Sequence, residues 1–113
     1  MPATKKKIVL SPPAGALGAD LDVSRYVKYL IDRYNEFAAA DKTRKTPFKY
    51  PAIYGIIKRE FGSQWNMVPL QKSDALILFL QARIEKTFLG RVQKKAGKRT
   101  FSSFADFLAK GGI

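Results

Sequence analysis

The sequence lacks both cysteine and histidine throughout its 113 residues. Without these side chains the chain cannot form disulfides, zinc fingers, thiolate or imidazole metal sites, cysteine nucleophiles or serine–histidine–acid triads. A phosphate-binding loop is also missing, because Gly90 and Gly97 flank basic residues without the closing Gly-Lys-Ser/Thr that a P-loop needs. We therefore expect a protein that is not an enzyme, with no catalytic residue, no metal ligand and no cofactor.

Long apolar runs are missing as well, and acidic residues are few. No stretch reaches the ~18 consecutive apolar residues of a membrane span, and only Ile8, Val9 and Leu10 follow the N-terminal lysines, so we expect neither a membrane segment nor a signal peptide. Nine acidic residues oppose 21 Lys and Arg, which gives a net charge of +12. This balance indicates a polyanionic partner, nucleic acid first, in the cytoplasm.

The length and the apolar content of 46% fit one small all-α domain with a modest core. Residues 1–19 contain paired prolines, two glycines and a lysine triplet, and we interpret them as a mobile basic arm before a helical domain over residues 20–113. Apolar periodicity and capping residues predict about four helices: Val23 to Ala40 after Asp20 or Asp22, Pro51 to Phe61 before Gly62, Leu70 to Leu89 before Gly90, and a short final helix with Ser103 as its N-cap.

The third predicted helix is apolar on two sides. Leu76, Leu80 and Phe88 fall in one stripe, whereas Leu78 and Ala82 fall roughly opposite. Such a helix either lies at the centre of the domain or is covered by a second subunit. We favour slightly a homodimer that forms through residues 70–89.

The basic residues are concentrated in three windows, Lys5–Lys7, Lys42–Lys49 and Lys86–Arg99, none of which contains an acid. The three windows hold thirteen positive charges, one more than the net charge of +12. Phosphate contact favours such segregation, whereas charges that serve only solubility are usually interspersed with acids. We therefore predict nucleic-acid contacts from the second and third windows and from the end of helix two: Lys42, Arg44, Lys45, Lys49, Lys58, Arg59, Arg91, Lys94, Lys95, Lys98 and Arg99.

Two further patterns bear on the mode of binding. Helices two and three have the size of a helix-turn-helix pair, although their predicted link of nine residues, GSQWNMVPL, exceeds the usual three or four; the alternative is simple packing in the core. Aromatic residues alternate with basic ones, so Phe48, Tyr50 and Phe101 are candidates for base stacking, although such residues more often belong to the core.

The run YPAIYGIIKREFGSQWNMVPLQKSDALILFL resembles the C-terminal module of phage antirepressor proteins over about 30 residues. In that module a short helix ends in a basic residue and Phe-Gly, and an aromatic turn, a Val-Pro pair and a longer helix follow. The matching residues are Tyr54, Ile57, Lys58, Phe61, Gly62, Trp65, Val68, Pro69, Leu76 and Leu80. The resemblance implies a DNA-binding regulator of a phage or other mobile element.

These observations together predict a protein that binds duplex DNA through basic loops, as a regulatory or accessory protein of a mobile element. Two alternatives stay open at this point. One is a binder of RNA or single strands that uses the aromatic residues. The other is a phage-encoded interaction module, or an inhibitor of a host nucleic-acid machine, whose basic loops meet an acidic protein.

Overall fold

The computed structural model describes residues 14–41, 43 and 45–111, and over these residues the protein is all-α, as the sequence predicts. Short 3-10 turns precede α1 and link α2 to α3, and the described residues form no strand, only an isolated bridge between Ala16 and Pro69. The five helices are α1 (Leu21–Ala39), α2 (Ala52–Phe61), α3 (Ser73–Lys86), α4 (Phe88–Lys95) and α5 (Phe104–Ala109).

The predicted helix boundaries follow local capping chemistry. The Asp20 carboxylate accepts the Val23 backbone N–H at 3.1 Å and begins α1, and the Ser103 hydroxyl accepts the Asp106 N–H at 3.2 Å and begins α5. Gly62 ends α2 with a φ of 77°, a left-handed conformation that glycine adopts without a steric cost. These three predictions are confirmed.

The core lies between α1 and α3, which share the most extensive helix contact, and α2 and α5 close it from outside. The helices α1, α2, α3 and α5 contribute apolar residues spaced three or four apart, which places them on one face. The fully buried side chains are Leu17, Tyr26, Val27, Leu30, Ile31, Phe37, Ile53, Ile57, Val68, Leu76, Leu80 and Ile84.

The prediction of one long third helix is wrong at both ends. The segment Leu70–Lys72 is a 3-10 turn, and α3 stops at Lys86 because Thr87 is extended, with a ψ of 160°. The Thr87 hydroxyl accepts the Gly90 N–H at 3.0 Å and so begins a new helix, α4. Apolar residues continue through both helices, so their periodicity does not reveal the break.

The third helix is predicted to end before Gly90, so the basic residues from Arg91 to Arg99 are expected in a loop, and this prediction is also wrong. The first five residues of this segment lie in α4. Gly90 is buried inside the same helix, where an added Cβ would overlap the Ile84 carbonyl oxygen. Glycine is therefore needed at this position for close packing at the α3–α4 corner, not for flexibility.

The predicted arm extends too far toward the domain. Ala16 and Leu17 are buried, and the Leu17 N–H donates to the Val68 carbonyl at 2.7 Å while the Leu70 N–H donates to the Gly15 carbonyl at 2.8 Å. These pairings fix an irregular segment that has no periodic pattern to reveal it. The rest of the predicted arm, residues 1–13, lies outside the described residues.

The second apolar face of α3 is not covered by the rest of the described domain. Leu78 is 65% exposed and Ala82 is exposed, so the central-helix alternative is wrong and the homodimer through residues 70–89 stays a prediction. None of the described helices is both long enough and apolar enough to cross a bilayer.

Candidate nucleic-acid interface

The third basic window forms a helix and a rigid turn. Arg91, Lys94 and Lys95 are exposed on α4, and Lys98 and Arg99 are exposed directly after it. The Gly97 N–H donates to the Lys94 carbonyl at 3.1 Å and the Lys98 N–H to the Gln93 carbonyl at 2.8 Å, with a Gly97 φ of 78°. This pairing is a Schellman motif, which fixes the direction of the chain as it leaves α4. We call Lys86, Arg91, Lys94, Lys95, Lys98 and Arg99 the α4 basic surface.

The chain after the turn is tied to α1 by hydrogen bonds. The Arg33 guanidinium donates to the Thr100 carbonyl at 2.8 Å, and the Tyr29 hydroxyl accepts the Ser102 N–H at 2.7 Å. The Tyr26 hydroxyl donates to the Ser102 carbonyl at 2.7 Å and accepts from Gln81 at 2.9 Å. Burial is the main cause of the raised pKa of Tyr26, so this hydroxyl stays protonated and able to donate at neutral pH. Both ends of the basic turn are therefore anchored.

Two members of the α4 basic surface have intramolecular acidic partners. Lys94 lies 3.2 Å from the Glu85 carboxylate, and the Arg99 guanidinium hydrogen-bonds the Asp106 carboxylate. The Arg99 contact holds the pKa of Asp106 below its usual value, so this carboxyl is ionised at neutral pH. The ion pairs among the described residues include none of Lys86, Arg91, Lys95 and Lys98, whose charges are thus more available to a phosphate than those of Lys94 and Arg99.

The residue that precedes the second basic window lies beside this surface. Asp41 lines one groove together with Lys86 and Arg91. Within the window Lys45 and Lys49 are exposed, whereas Lys42 and Arg44 lie outside the described residues. The fold therefore brings Asp41 to the groove that Lys86 and Arg91 line, although Lys86 follows it by 45 positions in the sequence.

The helix-turn-helix-like pair does not present a basic reading helix. Lys58 and Arg59 are exposed in the last turn of α2, and Arg59 lies 3.8 Å from the carboxylate of Glu60. The second helix of the pair, α3, has no Lys or Arg before Arg83, and Asp74 occupies its first turn. Residues 62–72 separate the two helices, a longer link than predicted because α3 begins at Ser73. A major-groove helix usually contacts base edges with its N-terminal residues, and α3 is poorly suited to that role.

The three predicted stacking residues have different surroundings. Phe101 is half-buried and packs against the core, which is the alternative that the sequence left open. Tyr50 is 57% exposed, and its ring meets the half-buried Phe48 edge-on with 5.0 Å between centroids. Only the Tyr50 end of this pair offers a substantial surface to a ligand.

Most residues that carry the antirepressor resemblance belong to the core. Ile57, Val68, Leu76 and Leu80 are fully buried, and Tyr54, Phe61 and Trp65 pack against them. The resemblance thus describes how α2 and α3 pack together. Among its residues only Lys58 contributes an exposed charge.

Sequence reasoning missed Phe88 as a candidate for base stacking. A continuous helix would place Phe88 one turn after the buried Ile84, but the break at Thr87 turns its ring outward, and it is 49% exposed. A signal was present in the sequence, since Thr87 is a good N-cap residue directly before an aromatic residue and a basic run.

Comparison of the chain with protein-family models, curated proteins and solved structures found no match.

Proposed function

We propose that this protein binds nucleic acid, duplex DNA in particular, through the α4 basic surface, in a role that is not catalytic. The observation that carries the proposal is the placement of five basic residues, free of acids in sequence, on one short helix and the rigid turn after it, with Lys86 at the adjoining end of α3. Rigid presentation lowers the entropy cost of binding, because neither the helix nor the anchored turn has to be ordered by the ligand. The second basic window follows Asp41 in the sequence, and we propose that it adds further phosphate contacts.

The setting we propose is the cytoplasm, in the regulation of a phage or other mobile element. This part of the proposal comes from the resemblance of residues 50–80 to antirepressor modules. The exposed Tyr50 beside Lys49 favours one alternative, a single-strand or RNA binder. The other alternative is an acidic protein partner. A salt titration distinguishes these alternatives from duplex binding.

Binding to a duplex should be steeply dependent on salt. If the surface neutralises about five to eight phosphates, the plot of log affinity against log salt should have a slope near −4 to −7, since each contact contributes about −0.9. The measurement is a titration of labelled duplex DNA, single-stranded DNA and duplex RNA of one sequence between roughly 50 and 200 mM salt. A duplex affinity that hardly changes over this range would refute the proposal, and preference for the single strand would favour the stacking alternative.

Neutralising Asp106 should strengthen binding, because its carboxylate competes with phosphate for Arg99. We expect Asp106→Asn to raise duplex affinity by up to about fivefold, because an exposed ion pair competes only weakly with a phosphate. The matched control is Asp22→Asn, which makes the same change in net charge and also removes an acid from the first turn of a helix. Equal effects of the two variants would mean that Arg99 does not contact the nucleic acid.

A further inference from the structure

Phe88 is an exposed aromatic ring among cations. It is 49% exposed, it is not among the side chains that pack against the core, and no aromatic pair among the described residues includes it. Tyr50, the other aromatic residue more than a third exposed, is in contact with Phe48. Exposing a phenyl ring to water is unfavourable, so a ring left in this position is available to a ligand.

Phe88 lines two grooves, and both contain basic side chains. The first groove, of about 390 Å³, is lined by Tyr34, Phe79, Arg83, Lys86 and Arg91, and by the acidic Asp41. Its volume is within the range of small-ligand sites. The second groove is lined by Arg91, Val92, Lys94 and Lys95, and by the acidic Glu85. Five cations line the two grooves against two acids, so a planar group that stacks on Phe88 would lie in an excess of positive charge.

Arg83 is held in the first groove by rings and not by a carboxylate. Its guanidinium carbon lies 5.6 Å from the Tyr34 ring centroid and 5.4 Å from that of Phe79. The ion pairs of the described chain do not include it, and its Nε is buried without a hydrogen-bond partner. An arginine packed between aromatic rings is fixed in position while its charge stays uncompensated, which suits recognition of an anionic ligand.

From this arrangement we infer a site for one unpaired nucleobase, which stacks on Phe88 while its flanking phosphates meet Arg83, Lys86 and Arg91. The inference rests on the proposed function and deepens it, because it adds a preference for nucleic acid with a base outside the helical stack. Stacking on an aromatic side chain is tolerant of sequence, since every base offers a π-face. The Thr87 cap fixes the backbone at the start of α4, so the point from which the ring projects is set before the ligand arrives.

The same surface fits other occupants less well. A second copy of the chain would bring two basic surfaces together, which like-charge repulsion opposes. An acidic amphipathic helix would match the charge, but such a helix needs a row of apolar pockets for successive anchors. On α4 only Phe88 and Val92 are large apolar side chains exposed to solvent, and they stand among charged ones, so the surface fits a base and its phosphates better than a helix.

The test compares three labelled duplexes of one sequence: fully paired, with one bulged thymine, and with an abasic residue at the bulge. The abasic probe keeps the backbone and its charge but lacks the base. We expect the protein to bind the thymine bulge roughly tenfold more tightly than the abasic bulge, within the range found for stacking on one aromatic side chain. Phe88→Ala should abolish this difference without changing the affinity or salt slope for the paired duplex, and Phe88→Trp should restore it.

The matched control is Val92→Ala, because Val92 lies in the same helix and is 47% exposed but has no π-face. This variant should keep the preference for the base, and circular dichroism melts should show all variants folded. Two outcomes would overturn the stacking site while leaving duplex binding intact. One is equal binding of the two bulges by the parent protein, and the other is loss of the preference in Val92→Ala as well. Failure of all three probes to bind, with binding of an acidic helical peptide instead, would overturn both the site and the proposed function.

Discussion

Replacing Lys94, Lys95, Lys98 and Arg99 together with alanine should weaken duplex binding by well over tenfold. Each phosphate contact contributes roughly one unit to the salt dependence, so the slope should flatten by about 3 to 4. Lys95 and Lys98 should account for more of the loss than Lys94 and Arg99, whose charges are partly compensated by Glu85 and Asp106. Fluorescence anisotropy at several salt concentrations measures both quantities.

The fold should survive this change. All four side chains are exposed, and loss of surface ion pairs and of cations near a helix C-terminus costs about 1 kcal/mol or less in unfolding free energy. A variant that removes four exposed cations elsewhere, Arg25, Lys28, Lys72 and Lys110, makes the same change in net charge and should keep most of the affinity and the slope.

Two outcomes would reassign the interface. Deletion of Met1 to Leu10 should cost less affinity than the four alanines, because it removes three positive charges whereas the four alanines remove four charges from the anchored turn and helix. A larger loss from the deletion would make the N-terminal lysines the main contact. The four-alanine variant could instead keep the parent affinity while binding is lost when Lys42, Arg44, Lys45 and Lys49 are replaced. That outcome would move the contact to the second basic window.

Gly90→Ala should destabilise the fold by about 1–3 kcal/mol, although alanine is usually the better helix residue. The reason is the α3–α4 corner, where an added methyl group would overlap the Ile84 carbonyl oxygen and force the two helices apart. Urea unfolding followed by circular dichroism gives the free energy, and an unchanged m-value would confirm that only stability has moved.

Gly55→Ala is the matched control, because Gly55 is exposed within α2 and a Cβ there would meet no atom within 4 Å. It should stabilise the protein by about 0.5–1 kcal/mol, the usual gain from replacing glycine in an open helix position. The same substitution is therefore expected to have opposite signs at the two glycines. Stabilisation at both sites would mean that α3 continues through Thr87 as one helix, in which case Phe88 would return to the buried face and the stacking site would be lost.

The fold class and most helix ends could be predicted from the sequence alone. Apolar residues spaced by one helical turn define the buried faces of α1, α2 and the first part of α3, and Asp20, Gly62 and Ser103 mark boundaries through bonds made within four residues. Charge counting likewise located the basic windows, because the absence of acids in a segment is a property of sequence alone. Helix periodicity with capping and the distribution of charge are both local properties, so they can be read without knowledge of the tertiary contacts.

How these parts meet is a property of the tertiary structure. The turn at Thr87 depends on a close approach between Gly90 and the end of α3, and it is this turn that exposes Phe88 and starts α4 as a separate helix against α1 and α3. The placement of Asp41 beside Arg91, and of Arg83 between Tyr34 and Phe79, requires α1 to lie along α3 and α4. Such contacts join residues distant in sequence, and their geometry is set by how the helices pack, a property that periodicity and charge counting do not contain.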